Sequence, residues 1–186
     1  MLQQLLSKKA QQNLGGTSTA ELLNESFITS CKHLSNSDRL KLLTIRESYH
    51  LYSKEQAIGQ IINSSNTAIE YIRGWIGLES TERMVALLLS AQGEILDAIE
   101  VFKGSATKSV CHPREIFRAA VKYPTATIIL GHNHPSGSLK PSSADIAATE
   151  NMVNAGYIMD IPIIDHIIVG KTGGVSIRET HPYVWD

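Results

Sequence analysis

Leu130-Gly131-His132-Asn133-His134-Pro135-Ser136-Gly137 is the stretch around which the rest of the chain is arranged, because it places two histidines one residue apart. The preceding residues 125–130 form an apolar, β-branched run of the kind that fills a buried strand. Side chains alternate between the two faces of a strand, so we expect His132 and His134 to point the same way, with Cα atoms roughly 7 Å apart. At that spacing two imidazole nitrogens can meet at one zinc ion, which needs bonds of about 2.0–2.1 Å.

A third candidate ligand, Asp145, follows after a short loop. Proline and glycine within 135–138 end the strand, because proline lacks the backbone donor and glycine favours unusual dihedral angles. Ser142 then predicts the N-cap of a helix that we expect to run to Ala155 and to stop at Gly156. Asp145 lies in the first turn of this helix, where the helix dipole alone could also favour a carboxylate. Two histidines and one carboxylate leave a fourth zinc position open, which is typical of catalytic rather than structural zinc.

The complete pattern is more specific than the histidine pair, which often occurs by chance. His-x-His, seven further residues and Ser-x-x-Asp resemble the signature of the JAMM/MPN (JAB) metalloprotease superfamily. The longer string His-Asn-His-Pro-Ser-Gly, with Pro-Arg-Glu-Ile-Phe at 113–117 and Asp-His-Ile-Ile-Val at 165–169, resembles the RadC family of that superfamily. The resemblance covers Ser64 to Arg178 and implies the cytidine-deaminase-like JAB/MPN metalloprotease fold. It also implies a zinc-dependent hydrolase that cleaves a peptide or isopeptide bond.

The resemblance assigns residues to the site. Those that would bind Zn²⁺ are His132, His134 and Asp145. Ser142 would donate a hydrogen bond to the oxyanion of the transition state, although as an N-cap it needs no catalytic role. We favour the catalytic role, because the adjacent Ser143 could cap the helix instead.

The chemistry also needs a carboxylate that accepts a proton from the attacking water and passes it to the leaving amine. Glu82, at the head of the first predicted strand of this region, is where the resemblance places that general base. The sequence alone does not separate it from three rivals, which are Glu79, Glu94 and Glu115. Glu115 is our second choice, because it opens a predicted helix that could border the cleft.

Asp165 and His166 are adjacent on a further predicted strand, so their side chains should face opposite ways. One of them could line the site, and a carboxylate that orients a metal-bound histidine is a common arrangement. The alternative is a histidine with ordinary hydrogen bonds at the end of a strand. We do not include His166 among the predicted ligands.

The chain is expected to divide into a helical N-terminal region, 1–63, and a metal-binding domain, 64–186. The second region has the predicted order β-β-α-β-α-β-β, which indicates an α/β (α+β) fold with a mixed sheet flanked by helices. Members of the RadC family often carry a helix-hairpin-helix DNA-binding module before the metal domain. Residues 1–50 show no clear glycine-containing hairpin of that kind. We therefore favour a small helical appendage that packs on the catalytic domain or on a partner.

The composition argues against several classes of protein. The chain has 186 residues, 42% of them hydrophobic, and a net charge of −1, so it can build a core and shows no global excess of positive charge for nucleic acid. No apolar run approaches the ~20 residues of a membrane helix, and residues 1–15 lack the apolar core of a signal peptide. Cys31 and Cys111 form no Cys-x-x-Cys pair and are expected to be free thiols. We therefore predict a cytoplasmic protein without a membrane partner.

Two other functions stay open at this point. The older name of the family refers to DNA repair, so the alternative is a DNA-associated metal-binding protein without protease activity. Nucleases, however, usually hold two metals about 3.5–4 Å apart, and the sequence suggests one site. The other possibility is a non-catalytic scaffold, although every position of the motif is filled. The expected partner is an unidentified peptide or protein substrate, with DNA as the alternative, and the sequence does not predict an oligomeric state.

Overall fold

The computed structural model describes residues 2–104 and 112–186. The helices among these residues are α1 (Lys8–Asn13), α2 (Thr19–Leu22), α3 (Glu25–Ser30), α4 (Asn36–Ala57), α5 (Ser65–Ile76), α6 (Pro113–Ala120), α7 (Ser143–Met159) and α8 (Ile177–Thr180). The strands are β1 (Arg83–Leu89), β2 (Ile95–Lys103), β3 (Thr127–Asn133), β4 (Ile163–Val169) and β5 (Gly174–Ser176). Short 3₁₀ helices span Leu2–Leu5 and Pro182–Trp185. The chain folds as two compact units, 1–53 and 54–186.

The N-terminal unit is built on a buried carboxylate and a small apolar core. Asp38, in the first turn of α4 and 1% exposed, accepts hydrogen bonds from the backbone N–H and the hydroxyl of both Ser7 and Ser35. Ser7 is the N-cap of α1, so one carboxylate stabilises the start of two helices. Burial raises the pKa of Asp38, but the four hydrogen bonds outweigh burial and lower it to about 2. The buried apolar residues of this unit are Leu6, Ala10, Leu14, Leu22, Ile28, Leu34 and Leu42.

The second unit is organised around a mixed sheet whose strands, in the part of the chain that the structure describes, have the order β2-β1-β3-β4-β5. The central strand β3 pairs antiparallel with β1 and parallel with β4. The outer strands β2 and β5 pair antiparallel with β1 and β4. A parallel pair needs a crossover connection, and α7 lies between β3 and β4 in the chain. The predicted mixed sheet flanked by helices is therefore confirmed.

Helices cover both faces of this sheet and divide its core into two layers. On one face α5 packs in a core that includes Ile72 and Ile129. On the other face α6 and α7 pack in a core that includes Met152 and Leu130. Alternate residues of β3 thus serve the two cores, and His132, two residues after Leu130, belongs to the α7 face. The first histidine of the motif therefore lies on the face of the sheet that α7 covers.

The second half of this unit differs from the sequence prediction at two boundaries. The predicted stop at Gly156 is wrong, because α7 continues to Met159 and ends at Asp160, whose φ of 56° is left-handed. The glycine is required for packing instead, since a Cβ there would lie 2.9 Å from the backbone oxygen of Ile161. The last predicted strand, 175–178, is shorter than expected, because β5 ends at its second residue and α8 follows.

Two further predictions from composition concern membranes and thiols. Among residues 2–104 and 112–186, no helix combines the length and the apolar character that crossing a membrane requires. Cys31 is a free cysteine, as predicted. Cys111 lies outside the described residues, so the prediction for it is not tested.

Candidate metal centre

Three polar side chains converge where β3 leaves the sheet and α7 begins. His132 lies in β3, His134 follows directly after this strand, and Asp145 lies in the first turn of α7. The Nε2 atoms of the two imidazoles are 2.9 Å apart. Asp145 Oδ1 lies 3.3 Å from His132 Nε2, and Asp145 Oδ2 lies 3.4 Å from His134 Nε2. The structure thus brings together the three residues that the sequence predicts as ligands, with one ligand atom from each lying within 4.8 Å of the others.

The loop after β3 fixes the orientation of His134. Gly137 has a φ of 81°, which glycine adopts without strain, and its N–H donates to the carbonyl oxygen of His134, 2.9 Å away. The next residue places its carbonyl oxygen 2.8 Å from His134 Nδ1. Because this carbonyl, from Ser138, can only accept, His134 Nδ1 carries a proton, and in the neutral tautomer that this contact selects Nε2 presents a lone pair. The turn therefore points an unprotonated nitrogen towards Asp145.

This donor set fits a divalent cation. Burial raises the pKa of Asp145, but its contact with His132 and the hydrogen bonds from Ser142 lower it far below its ordinary value, so the carboxylate is ionised. An anionic carboxylate and the lone pair of His134 Nε2 therefore face the same small space. Such acceptors lie together stably when a cation lies between them. Two imidazole nitrogens and one carboxylate oxygen match the ligands of catalytic zinc sites, which keep a fourth position for water.

On the side away from this space, His132 contacts one buried side chain, which in turn contacts a second. His132 Nδ1 lies 2.8 Å from His166 Nε2, and His166 Nδ1 lies 2.7 Å from the hydroxyl oxygen of Thr149. Burial lowers the pKa of His166 well below its usual value, because a charged ring would lose its hydration there. The sequence reasoning missed Thr149. The signal was its position four residues after Asp145, because residues at that spacing share one face of a helix.

Asp165 and His166 face opposite ways, as predicted, but their roles differ from the expectation. The hydroxyl of Ser176 donates to both carboxylate oxygens of Asp165, and the backbone N–H of Arg178 donates to one of them. Burial raises the pKa of Asp165 although these hydrogen bonds oppose it. The suggestion that the carboxylate of this pair orients a metal ligand is wrong, because the imidazole of His166 takes that place next to His132.

Ser142 is the N-cap of α7 and holds the Asp145 carboxylate in place. Its hydroxyl donates to Asp145 Oδ2 over 2.7 Å, and its backbone N–H donates to the same oxygen over 2.7 Å. The hydroxyl oxygen also accepts a hydrogen bond from the backbone N–H of Asp145, 3.2 Å away, which completes a capping box. The prediction that Ser142 is the N-cap is confirmed, and the alternative that Ser143 could cap the helix does not hold, since Ser143 is the first helical residue. The oxyanion role of Ser142 stays a prediction.

Glu82 directly precedes β1, and the strand register brings it towards the histidines. Met84 of β1 pairs with His132 of β3 in the antiparallel ladder. Continuing this register by two residues sets Glu82 opposite His134. Paired residues share a face of the sheet, and so do residues two apart on one strand. The register is thus consistent with Glu82 as the general base, an assignment that stays a prediction.

The amide of Asn133 fixes the segment that carries Glu82. Asn133 is fully buried, and its Oδ1 accepts a hydrogen bond from the backbone N–H of Arg83 over 2.7 Å. Its Nδ2 donates to the backbone oxygens of Glu79, at 3.2 Å, and Thr81, at 3.1 Å. The sequence reasoning did not assign a role to Asn133. The sequence feature that could have revealed this role is an amide side chain within a buried strand, because buried amides are almost always hydrogen-bonded.

The three rival carboxylates are placed differently. Glu79 is buried and forms an ion pair with Arg83 at 3.1 Å. Glu115 lies in the first turn of α6 and pairs with Arg118 at 2.6 Å. Glu94 lies between β1 and β2, at the end of the sheet opposite the histidines. Of the four candidates, Glu82 is the one that the strand register sets opposite His134.

Comparison with known proteins shows which protein family the chain resembles. Residues 62–182 match the family model described as a RadC-like JAB domain. The chain is 41% identical over 127 residues to a UPF0758 protein of Enterococcus faecalis, with 68% of this chain and 54% of the relative covered. It is 40% identical over 122 residues to one of Thermosynechococcus vestitus, with 66% and 49% covered. A UPF0758 protein of Clostridium botulinum is 36% identical over 177 residues, with 94% and 75% covered.

The matches cover most of this chain but a smaller share of its relatives. The chain spans about half the length of the first two relatives and three quarters of the third. The family match extends over both predicted ligand elements, the end of β3 and the start of α7, and over the segment with Glu82. From the match to its model and from these relatives, the chain belongs to the RadC family and carries the RadC-like JAB domain over residues 62–182.

Proposed function

We propose that the JAB domain of this chain is a zinc-dependent hydrolase that cleaves a peptide or isopeptide bond in a peptide or protein substrate. The observation that carries the proposal is the convergence of His132, His134 and Asp145, with one ligand atom of each within 4.8 Å of the others. Three protein ligands leave a position for water, as in catalytic zinc sites. The side chains are 8%, 13% and 18% exposed, so the site is shielded but open to a substrate.

The proposed mechanism assigns a task to each residue of the site. His132, His134 and Asp145 would hold the ion. When bound, zinc lowers the pKa of a water ligand to about 7, which makes a nucleophile available near neutral pH. Glu82 accepts the proton of the attacking water and delivers it to the leaving amine nitrogen as the C–N bond breaks. The Ser142 hydroxyl exchanges its hydrogen bond to Asp145 for one to the substrate carbonyl oxygen as negative charge develops there.

The site geometry favours this function over phosphodiester chemistry. Two-metal nucleases hold their ions about 3.5–4 Å apart with a ligand set for each. Within residues 2–104 and 112–186, one group of three or more convergent His, Cys, Asp or Glu side chains is present. The net charge of −1 gives no general attraction to the phosphate backbone of DNA. We therefore do not propose the DNA-associated alternative.

The first test measures metal content. Wild-type protein that has been stripped with a chelator and reloaded is expected to hold one zinc per chain by inductively coupled plasma mass spectrometry. His134→Ala and Asp145→Asn are expected to lose this zinc. His112→Ala is the matched control, because His112 is exposed and its side chain makes no capping hydrogen bond. Absence of stoichiometric zinc from the wild type, or its full retention by His134→Ala, would refute the metal site.

The second test measures hydrolysis of a peptide library and of lysine-linked isopeptides. Glu82→Gln is expected to keep its zinc and to lose hydrolysis by about 10²–10⁴-fold, the usual contribution of a general base. Glu115→Gln is the control carboxylate and is expected to retain activity. Zinc-loaded wild type that cleaves neither class of bond would favour the scaffold function. Equal activity of Glu82→Gln and wild type would remove Glu82 from the mechanism.

A further inference from the structure

Behind His132, on the side away from the metal position, lies a short chain of buried hydrogen bonds. It runs from His132 Nδ1 to His166 Nε2 over 2.8 Å and from His166 Nδ1 to the hydroxyl oxygen of Thr149 over 2.7 Å. His166 and Thr149 are both 0% exposed. The protein, rather than solvent, therefore decides which of these atoms carries each proton.

The direction of each hydrogen bond follows from the helical end of the chain. The Thr149 hydroxyl lies 2.6 Å from the backbone carbonyl oxygen of Asp145, four residues earlier in α7. A carbonyl oxygen only accepts, so Thr149 donates its one proton there and can only accept from His166. His166 Nδ1 then carries a proton. The ring is fully buried and its hydrogen-bond partners are an imidazole and a hydroxyl rather than a carboxylate, so burial favours the neutral form, in which Nε2 is an acceptor. His132 Nδ1 must donate to that acceptor, which leaves a lone pair on His132 Nε2.

We propose that Thr149 and His166 are positioning residues that hold His132 in the tautomer whose Nε2 binds the metal. This inference rests on the proposed function, because it presumes that His132 is a metal ligand. A neutral imidazole has two tautomers, and only one of them leaves Nε2 unprotonated. The other tautomer is disfavoured here, because its bare Nδ1 would face the bare Nε2 of His166 with no proton between them.

A neutral imidazole also differs from the carboxylate that often supports a metal-bound histidine. An ionised carboxylate at a fully buried position would lose its hydration, which is costly. His166 orients His132 without adding a negative charge to that of Asp145. The ion would therefore retain more of its positive charge for the substrate side of the site. The structure thus assigns the tautomer of His132 to a hydrogen-bond relay without a second carboxylate.

The decisive test uses two substitutions at Thr149 that separate its hydroxyl from its shape. Thr149→Val keeps the shape and removes the hydroxyl, whereas Thr149→Ser keeps the hydroxyl and removes a methyl group. Zinc affinity is measured by competition with a chromophoric chelator, so no substrate is needed. Thr149→Val is expected to bind zinc about 10–100-fold more weakly, the usual effect of losing a group that supports a metal ligand. Thr149→Ser is expected to stay close to wild type.

Substitutions at His166 test the next link. His166→Gln can place a carbonyl oxygen where Nε2 lies and is expected to preserve zinc affinity better than His166→Leu, which has no acceptor. Long-range ¹H–¹⁵N correlation spectra of the metal-free protein, recorded at alkaline pH where the histidines are neutral, report the tautomer of His132 directly. Wild type and His166→Gln are expected to show one tautomer protonated at Nδ1. His166→Leu is expected to show a mixture.

The possible outcomes separate this inference from the proposed function. Wild type that binds no zinc would refute the proposed function and the inference with it. Wild type that binds zinc, together with Thr149→Val and His166→Leu proteins that bind it equally well, would overturn the inference alone. Weaker binding by Thr149→Ser than by Thr149→Val would show a packing role and would also overturn it. If circular dichroism shows that Thr149→Val does not fold, the inference is tested by the His166 variants alone. It then requires that His166→Gln binds zinc more tightly than His166→Leu and keeps the single His132 tautomer.

Discussion

Asn133 separates the two histidines of the motif, and the alternation of β3 gives it a different task from theirs. Its amide makes three hydrogen bonds to the backbone of residues 79–83, on the segment that carries Glu82. The histidines contact Asp145 instead. Three consecutive residues thus divide between two functions, with the outer two offering ligand atoms and the middle one fixing the predicted base.

Replacement of Asn133 tests this division. Asn133→Leu leaves one buried donor and two acceptors without their partner, and at about 1 kcal/mol for each hydrogen bond we expect a loss of about 3 kcal/mol in the free energy of unfolding. Urea denaturation followed by circular dichroism measures it. Asn151→Leu is the control, because Asn151 is exposed on α7, and it should change stability by less than about 0.5 kcal/mol. Equal losses for both variants would contradict the prediction.

The lowered pKa of Asp38 predicts that the stability of the N-terminal unit depends on pH. Its pKa is lowered from 3.8 to about 2 in the folded state, because the hydrogen bonds from Ser7 and Ser35 outweigh the effect of burial. A group with a depressed folded pKa contributes stability above its unfolded pKa and loses it as the pH falls through the folded pKa. We therefore expect the stabilisation by Asp38 to be complete above about pH 4 and to decline between pH 4 and 2.

The comparison for this prediction is Asp38→Asn, which cannot ionise. Helical circular dichroism in urea at pH 6, 4, 3 and 2 would give the difference in unfolding midpoint between the two proteins. Wild type should be the more stable at pH 6 and 4, and the difference should shrink towards pH 2. A difference that does not change with pH would show that the ionised carboxylate is not what holds Ser7 and Ser35.

At the scale of the element, α7 shows how a glycine can signal something other than a helix end. Gly156 lies inside the helix, where a Cβ would lie 2.9 Å from the backbone oxygen of Ile161 and 3.0 Å from the backbone nitrogen of Ile163. These atoms belong to the chain entering β4, so the missing side chain lets helix and strand approach closely. The helix then ends one turn later at Asp160, in a left-handed conformation.

Gly156→Ala is therefore expected to destabilise the protein, whereas the same change at Gly74 should not. The backbone atoms that oppose a Cβ at Gly156 cannot rotate away, and overpacking of this kind costs about 1–3 kcal/mol. Gly74 lies on the exposed face of α5 with nothing within 4 Å of its Cβ position, and alanine there should add about 0.5–1 kcal/mol. Thermal unfolding of both variants is expected to show a lower melting temperature for Gly156→Ala and a higher one for Gly74→Ala than for the wild type. Stabilisation by both substitutions would refute the packing role of Gly156.

How far the sequence predicts the structure depends on where the partners of each residue lie. The capping box of Ser142 and Asp145 could be recognised, because both partners fall within one helical turn. The strands could be recognised from their apolar runs. The length of α7 could not, because the atoms that require Gly156 belong to another element. Contacts between Thr149 and His166 were missed for the same reason, since they join a helix to a strand.

At the scale of the whole molecule, metal binding and stability should be linked. A ligand that binds only the folded state adds about 2.7 kcal/mol at a free concentration 100 times its dissociation constant. We therefore expect added zinc to raise the melting temperature of the chelator-treated wild type, measured by differential scanning calorimetry. His134→Ala should show no such rise, whereas His112→Ala should respond like wild type. A rise of equal size in His134→Ala would place the stabilising zinc elsewhere.

The positions of the donors along the chain have a consequence for biosynthesis. All three predicted ligands lie between residues 132 and 145, within one strand, one loop and the first turn of one helix. His166 belongs to β4, which pairs with β3 and follows α7 in the chain, so it is translated later. A nascent chain that has left the ribosome through α7 thus already offers every donor atom, but not the imidazole that selects the proton position on His132. Its hold on a metal ion should tighten in a second step, when the fourth strand is added.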